Sequence, residues 1–97
     1  KAEDIKNNLL LELKSIYLTL IETNKKINAG KKKIELAEKG YEIAIELYGN
    51  GMTTQLDLFE SEIRLNQAEL NLIQGKFEYQ VAIAKLSRAT GENTKGN

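Results

Sequence analysis

The sequence predicts an all-α fold, a long antiparallel coiled-coil hairpin of two helices over about 2–48 and 54–90. Three observations carry that prediction. Apolar residues recur every seven positions through both halves of the chain. A single strong turn signal, Gly49-Asn50-Gly51, divides those halves. Proline, which most readily breaks a helix, is absent from all 97 residues.

The first arm shows its seam at two sets of positions. Leu13, Leu20, Ile27, Ile34, Tyr41 and Tyr48 fall every seven residues and hold the a positions. Leu9, Ile16, Thr23, Gly30, Ala37 and Ala44 hold the d positions. Gly30 is the weakest point of this arm, costing about 1 kcal/mol relative to Ala. The heptads run through it, so it is expected to stay helical.

At the corner, Gly and Asn tolerate positive φ. Asn-Gly also turns β-hairpins, but the flanks repeat with the helical period rather than every second residue. Thr54 is placed to cap the second arm, with Asp57 three residues on as the acid of a capping box. Leu56, Ile63, Leu70, Phe77 and Ala84 then hold a positions, and Phe59, Asn66, Ile73, Gln80 and Ser87 hold d. Gly91 has the look of a C′ glycine. The hairpin is thus expected over 1–91, with a polar, disordered tail at 92–97.

Folding back at Gly51 sets the two a/d seams against each other. Tyr41 is then expected at the level of Ile63, Ile34 at Leu70 and Ile27 at Phe77, with Gly30 near Ile73 and Ala44 near Phe59. The second arm also carries another apolar stripe, roughly 200° around the helix. Leu58, Leu65, Leu72, Tyr79 and Leu86 alternate there with Ser61, Ala68, Gly75, Ala82 and Ala89. A two-helix hairpin uses one such face, so the other calls for a further helix. Self-association of the chain is therefore expected.

Composition excludes several classes. With no His and no Cys, histidine triads and thiolate metal sites cannot be built. No cofactor, metal site or catalytic residue is expected, and the reading is of a protein that is not an enzyme. Apolar runs reach only three or four residues, too short to span a bilayer as a helix. The 14 basic and 14 acidic residues balance, which argues against a nucleic-acid partner. With no initiating Met and no leader, the chain reads as an internal piece. The neutral total hides a pattern: Lys25, Lys26, Lys31, Lys32 and Lys33 form a mid-arm belt. From Glu35 to Glu69, eight acids face only Lys39 and Arg64. Solvated i,i+4 pairs such as Glu22–Lys26, Glu35–Lys39 and Glu60–Arg64 account for part of this. A ring of carboxylates around a shared axis is the alternative.

From Tyr48 the chain reads Y-x-x-G-x-x-T-x-L-D-x-F-E, then L-x-x-A-E-x-x-L, then F-x-Y-x-x-A-x-A-x-L-x-R-A-T-G to Gly91. This run resembles the C-terminal helical hairpin of the TolC family of bacterial outer-membrane efflux proteins. The resemblance implies a homotrimeric channel with an outer-membrane barrel and a long periplasmic α-barrel. This segment would be periplasmic, with its corner at the entrance tip. Partners implied are a periplasmic adaptor and an inner-membrane transporter, and the role is passive export. By the resemblance, Asp57 and Glu60 line the constriction and give cation preference, and Tyr48 helps hold the tip closed. Gly49, Gly51, Thr53 and Thr54 lie where the adaptor docks. The chain departs from the best-known pattern at Thr53, where a basic latch residue would stand, so the latch is in question. The alternative is a stand-alone coiled-coil hairpin acting as a protein–protein interaction or adaptor module.

Overall fold

The computed structural model describes residues 2–95. Two helices account for nearly all of them: α1, Ala2–Gly49, and α2, Gln55–Lys95. They lie side by side as an antiparallel hairpin with extents of 72 × 18 × 16 Å. The long axis is that of α1, whose 48 residues rise ~1.5 Å each. Gly30 remains inside α1, as its heptad context requires.

The seam of α1 lies where the heptads put it. Every a and d position from Leu9 to Ala44 is buried or half-buried. Thr23, at a buried d position, keeps its hydroxyl satisfied within the helix by donating to the carbonyls of Thr19 at 2.8 Å and Leu20 at 3.2 Å.

The partner face on α2 corrects the expected pairing. Every a and d position of α2 from Leu56 to Ser87 is exposed. It is the other stripe that closes the hairpin. Leu58, Leu65, Leu72, Tyr79 and Leu86 are half-buried, and Gly75, Ala82 and Ala89 are buried. Gly30 accordingly meets Leu72, not Ile73, and Ile27 meets Gly75, not Phe77. The expected levels hold to within a turn, since Tyr41 shares a groove with Ser61 and Arg64, but Ile63, Leu70 and Phe59 face solvent and do not form the expected layers with Tyr41, Ile34 and Ala44.

Size explains the choice. A Cβ built on Gly30 would stand 3.3 Å from Leu72 Cδ1, and one on Gly75 would stand 3.6 Å from Ile27 Cγ1. Small residues on each helix receive large ones from the other. That lets the two helices approach closely along the seam. The a/d stripe of α2 is bulky at Leu56, Phe59, Ile63, Leu70, Ile73 and Phe77. It offers no hollows for Leu20, Ile27 or Ile34 to enter.

Two further expectations shift. Gly91 does not end α2, which continues to Lys95. Gly51 is the one glycine with positive φ among the described residues. Gly91 therefore lacks the left-handed geometry of a C′ cap. The Thr90 hydroxyl donates back to the carbonyls of Leu86 and Ser87 at 3.0 and 3.2 Å, which is compatible with helix on both sides. Of the tail expected at 92–97, residues 96–97 lie outside the described residues. Among the intrahelical ion pairs, Glu60–Arg64 closes at 3.9 Å. Lys26 instead reaches across the hairpin to Glu78 at 3.3 Å.

Candidate functional site

The tip, from Tyr48 to Glu60, gathers all the residues singled out by sequence. Its first half is a helix C-terminus that needs its last carbonyls satisfied. The Met52 N–H donates to the Leu47 carbonyl at 2.8 Å, and the Gly51 N–H donates to the Tyr48 carbonyl at 3.1 Å. That pair of bonds, with Gly51 at φ 70°, is a Schellman cap. A side chain at position 51 would strain this corner, because L-residues avoid the left-handed region. Gly49, by contrast, is the last residue of α1 and has no contact that a Cβ would meet. Only one of the two corner glycines is thus demanded by geometry.

The second half opens α2. Thr54 Oγ1 accepts the Asp57 N–H at 3.1 Å, and the Leu58 N–H donates to the Thr54 carbonyl at 3.2 Å. Thr54 is therefore the N-cap that its position predicts. The reciprocal half of the capping box is replaced. Instead of reaching back to the Thr54 N–H, the Asp57 carboxylate accepts the Thr53 hydroxyl, with Oγ1 to Oδ2 at 2.7 Å. Sequence reasoning places Thr53 at the adaptor-docking corner and as the residue lacking a basic charge, and assigns it no bond to Asp57. The i,i+4 spacing of a hydroxyl and a carboxylate was the signal for this bond.

Asp57 and Glu60 are both exposed. They sit one turn apart on the same side of α2, in its first two turns. Asp57 benefits from the positive end of the helix dipole there. Glu60 is engaged with Arg64 on its own helix. The carboxylates therefore stand at the apex facing outward, one hydrogen-bonded to a neighbouring hydroxyl and one ion-paired. Tyr48 is 43% exposed and its hydroxyl makes no hydrogen bond among the described residues, so the ring stands at the edge of the seam with its polar end free. Met52, 73% exposed, is the outermost apolar side chain of the corner. No sequence argument had singled it out.

Away from the tip, a groove between the helices is lined by Ile16, Thr19, Thr23, Phe77 and Ala82, with Glu78 and Lys85 as its charged members. Among the described residues, no cluster of acids could hold a metal ion, and no helix is long and apolar enough to cross a membrane. No protein-family profile, curated protein or solved structure matches the chain.

Proposed function

We propose that the chain is the tip-bearing periplasmic hairpin of a TolC-like, trimeric outer-membrane export channel. In this reading it catalyses nothing. It lines a periplasmic α-barrel, and its corner forms the gated entrance at which a periplasmic adaptor docks and links the channel to an inner-membrane transporter. One observation carries the reading beyond the sequence resemblance. The hairpin closes its own seam and still presents a second, largely apolar face along α2 from Leu56 to Phe77, as a stave needs in order to join a neighbour in a barrel.

The tip residues then take defined roles. Asp57 and Glu60 project from the apex and, repeated threefold, supply six carboxylates to a narrow opening that favours cations. Tyr48 offers a free hydroxyl to a neighbouring hairpin to hold the closed state. Gly49, Gly51, Thr53 and Thr54 form the adaptor's landing surface. Thr53 carries no charge and already donates to Asp57. Any latch here would work through that hydroxyl rather than through an ion pair. Opening is a change in packing between adjacent hairpins, biased by adaptor contacts.

The test is a planar-bilayer recording of the full-length parent with Asp57→Ala and Glu60→Ala together. Loss of cation preference and of divalent block supports the gate assignment; unchanged selectivity refutes it. A second reading, a stand-alone coiled-coil interaction module, is favoured by one feature. The seam between α1 and α2 is completed within this chain, so the arms need no parent to pair. It predicts that the chain folds and engages a partner with no channel attached.

A further inference from the structure

We propose that the exposed face of α2 is the contact between two copies of this chain, packed antiparallel about a twofold axis at the level of residue 68. The inference does not rest on the channel reading, in which threefold symmetry would set every tip at the same end.

The area is sufficient. Leu56, Phe59, Ile63, Leu70, Ile73 and Phe77 are 52–67% exposed and form one stripe on the solvent-facing side of α2, with Phe77 at its end also lining the groove against Ile16, Thr19 and Thr23. At roughly 100 Å² apiece, two such stripes hold on the order of 1,200 Å², at the lower bound of the ~1,200–2,000 Å² of stable interfaces. The hairpin has reason to use it, since among the described residues no large side chain is fully buried. The isolated molecule is thin, and a second layer completes it.

Charge sets the direction. The first half of α2 carries Asp57, Glu60, Glu62 and Glu69 against Arg64. The second half carries Lys76, Lys85, Arg88 and Lys95 against Glu78 and Glu92. A parallel pair would lay acid along acid. An antiparallel pair lays the acidic half of each copy along the basic half of the other.

Side-chain layers set the register. In an antiparallel coiled coil, a positions face the partner's d positions and g positions flank g positions. With the axis at residue 68, Phe59 faces the partner's Phe77 and Ile63 faces the partner's Ile73, while Leu70 and Leu56 fall on the partner's Asn66 and the partner's Gln80. Glu62 flanks the partner's Lys76, twice by symmetry, and Glu69 meets its own copy once. Sliding one heptad toward the tips sets Glu62 against the partner's Glu69. Sliding the other way sets Phe77 on the partner's Asn66 and Ile63 on the partner's Gln80. The first is poorer by charge, and the second by packing, since it keeps one layer of two large apolar residues, Leu70 with Ile73, where the axis at residue 68 keeps two.

Sedimentation equilibrium on the chain tests this. A dimer is expected by about 100 µM. Ile63→Asp is expected to give a monomer with unchanged helical circular dichroism, because position 63 is 62% exposed and lies off the intramolecular seam. Glu62→Lys and Lys76→Glu are each expected to weaken the dimer about tenfold, and the double exchange to restore it to within about threefold. A clean monomer at that concentration overturns the proposal, as does a trimer. A double exchange no tighter than the single variants overturns the orientation and register. A failed bilayer test, by contrast, would leave this contact standing.

Discussion

The two sides of α2 share a period but differ in shape. One side alternates Leu58, Leu65, Leu72, Tyr79 and Leu86 with Ser61, Ala68, Gly75, Ala82 and Ala89, and it packs on α1. The other is bulky over most of its length and faces solvent. By apolar content alone the bulky side should win, because it has more surface to remove from water. It loses because α1 offers large residues at a positions and mostly small ones at d, a profile that only an alternating surface can mesh with. Helix pairing here is decided by the hollows available, and the bulky face is left exposed.

Breaking the comparison most severely requires a charge on the packed side. Leu72→Asp is expected to destabilise the hairpin by about 3 kcal/mol, because the carboxylate enters the seam against Gly30 without a partner. Ile73→Asp, one residue away on the free side, is expected to cost under about 0.5 kcal/mol in dilute protein. Urea unfolding of the two variants measures the contrast.

At the tip the comparison is between its two caps. Gly51→Ala forces a Cβ onto φ 70° and is expected to cost ~1–2 kcal/mol. Thr54→Ala removes the acceptor of the Asp57 N–H and is expected to cost about 1 kcal/mol. Thermal melts of each, beside Gly49→Ala as the tolerated control, check that order. On the packed side, Gly75→Ala is expected to raise stability by somewhat less than 1 kcal/mol. Its Cβ would sit 3.6 Å from Ile27, an ordinary contact, and helix propensity favours Ala. The smallest effect is expected from Lys26→Ala, within about 0.5 kcal/mol, since the Lys26–Glu78 pair leaves both side chains substantially exposed.

Much of this fold was legible in the chain. The heptads located both helices and the seam of α1 from Leu9 to Ala44, though not its last expected member, Tyr48, which is exposed, and Gly49-Asn50-Gly51 located the corner. Periodicity also found both stripes of α2, but it could not choose between them. A seven-residue repeat specifies which residues share a face and says nothing of which face has hollows. The sizes of Gly75, Ala82 and Ala89 held that information. Gly91 misled because a glycine permits a left-handed cap without requiring one, and α2 runs on. At the tip, Thr54 as N-cap was legible from its spacing to Asp57. The Thr53–Asp57 bond was not, because a capping box competes for the same carboxylate and only the geometry of the corner decides between them.

The most direct test of the central claim uses the absence of native cysteine. Two double variants, Ile27→Cys with Gly75→Cys and Ile27→Cys with Phe77→Cys, are oxidised in dilute solution and scored for an intramolecular disulfide. A Cβ at position 75 would lie 3.6 Å from Ile27 Cγ1, so the two positions face each other across the seam at a separation a disulfide can close, whereas Phe77 is 67% exposed. A bridge in the first variant and none in the second is the predicted result. A bridge at 27–77 with none at 27–75 would mean that α2 packs on its bulky side, and would contradict the account.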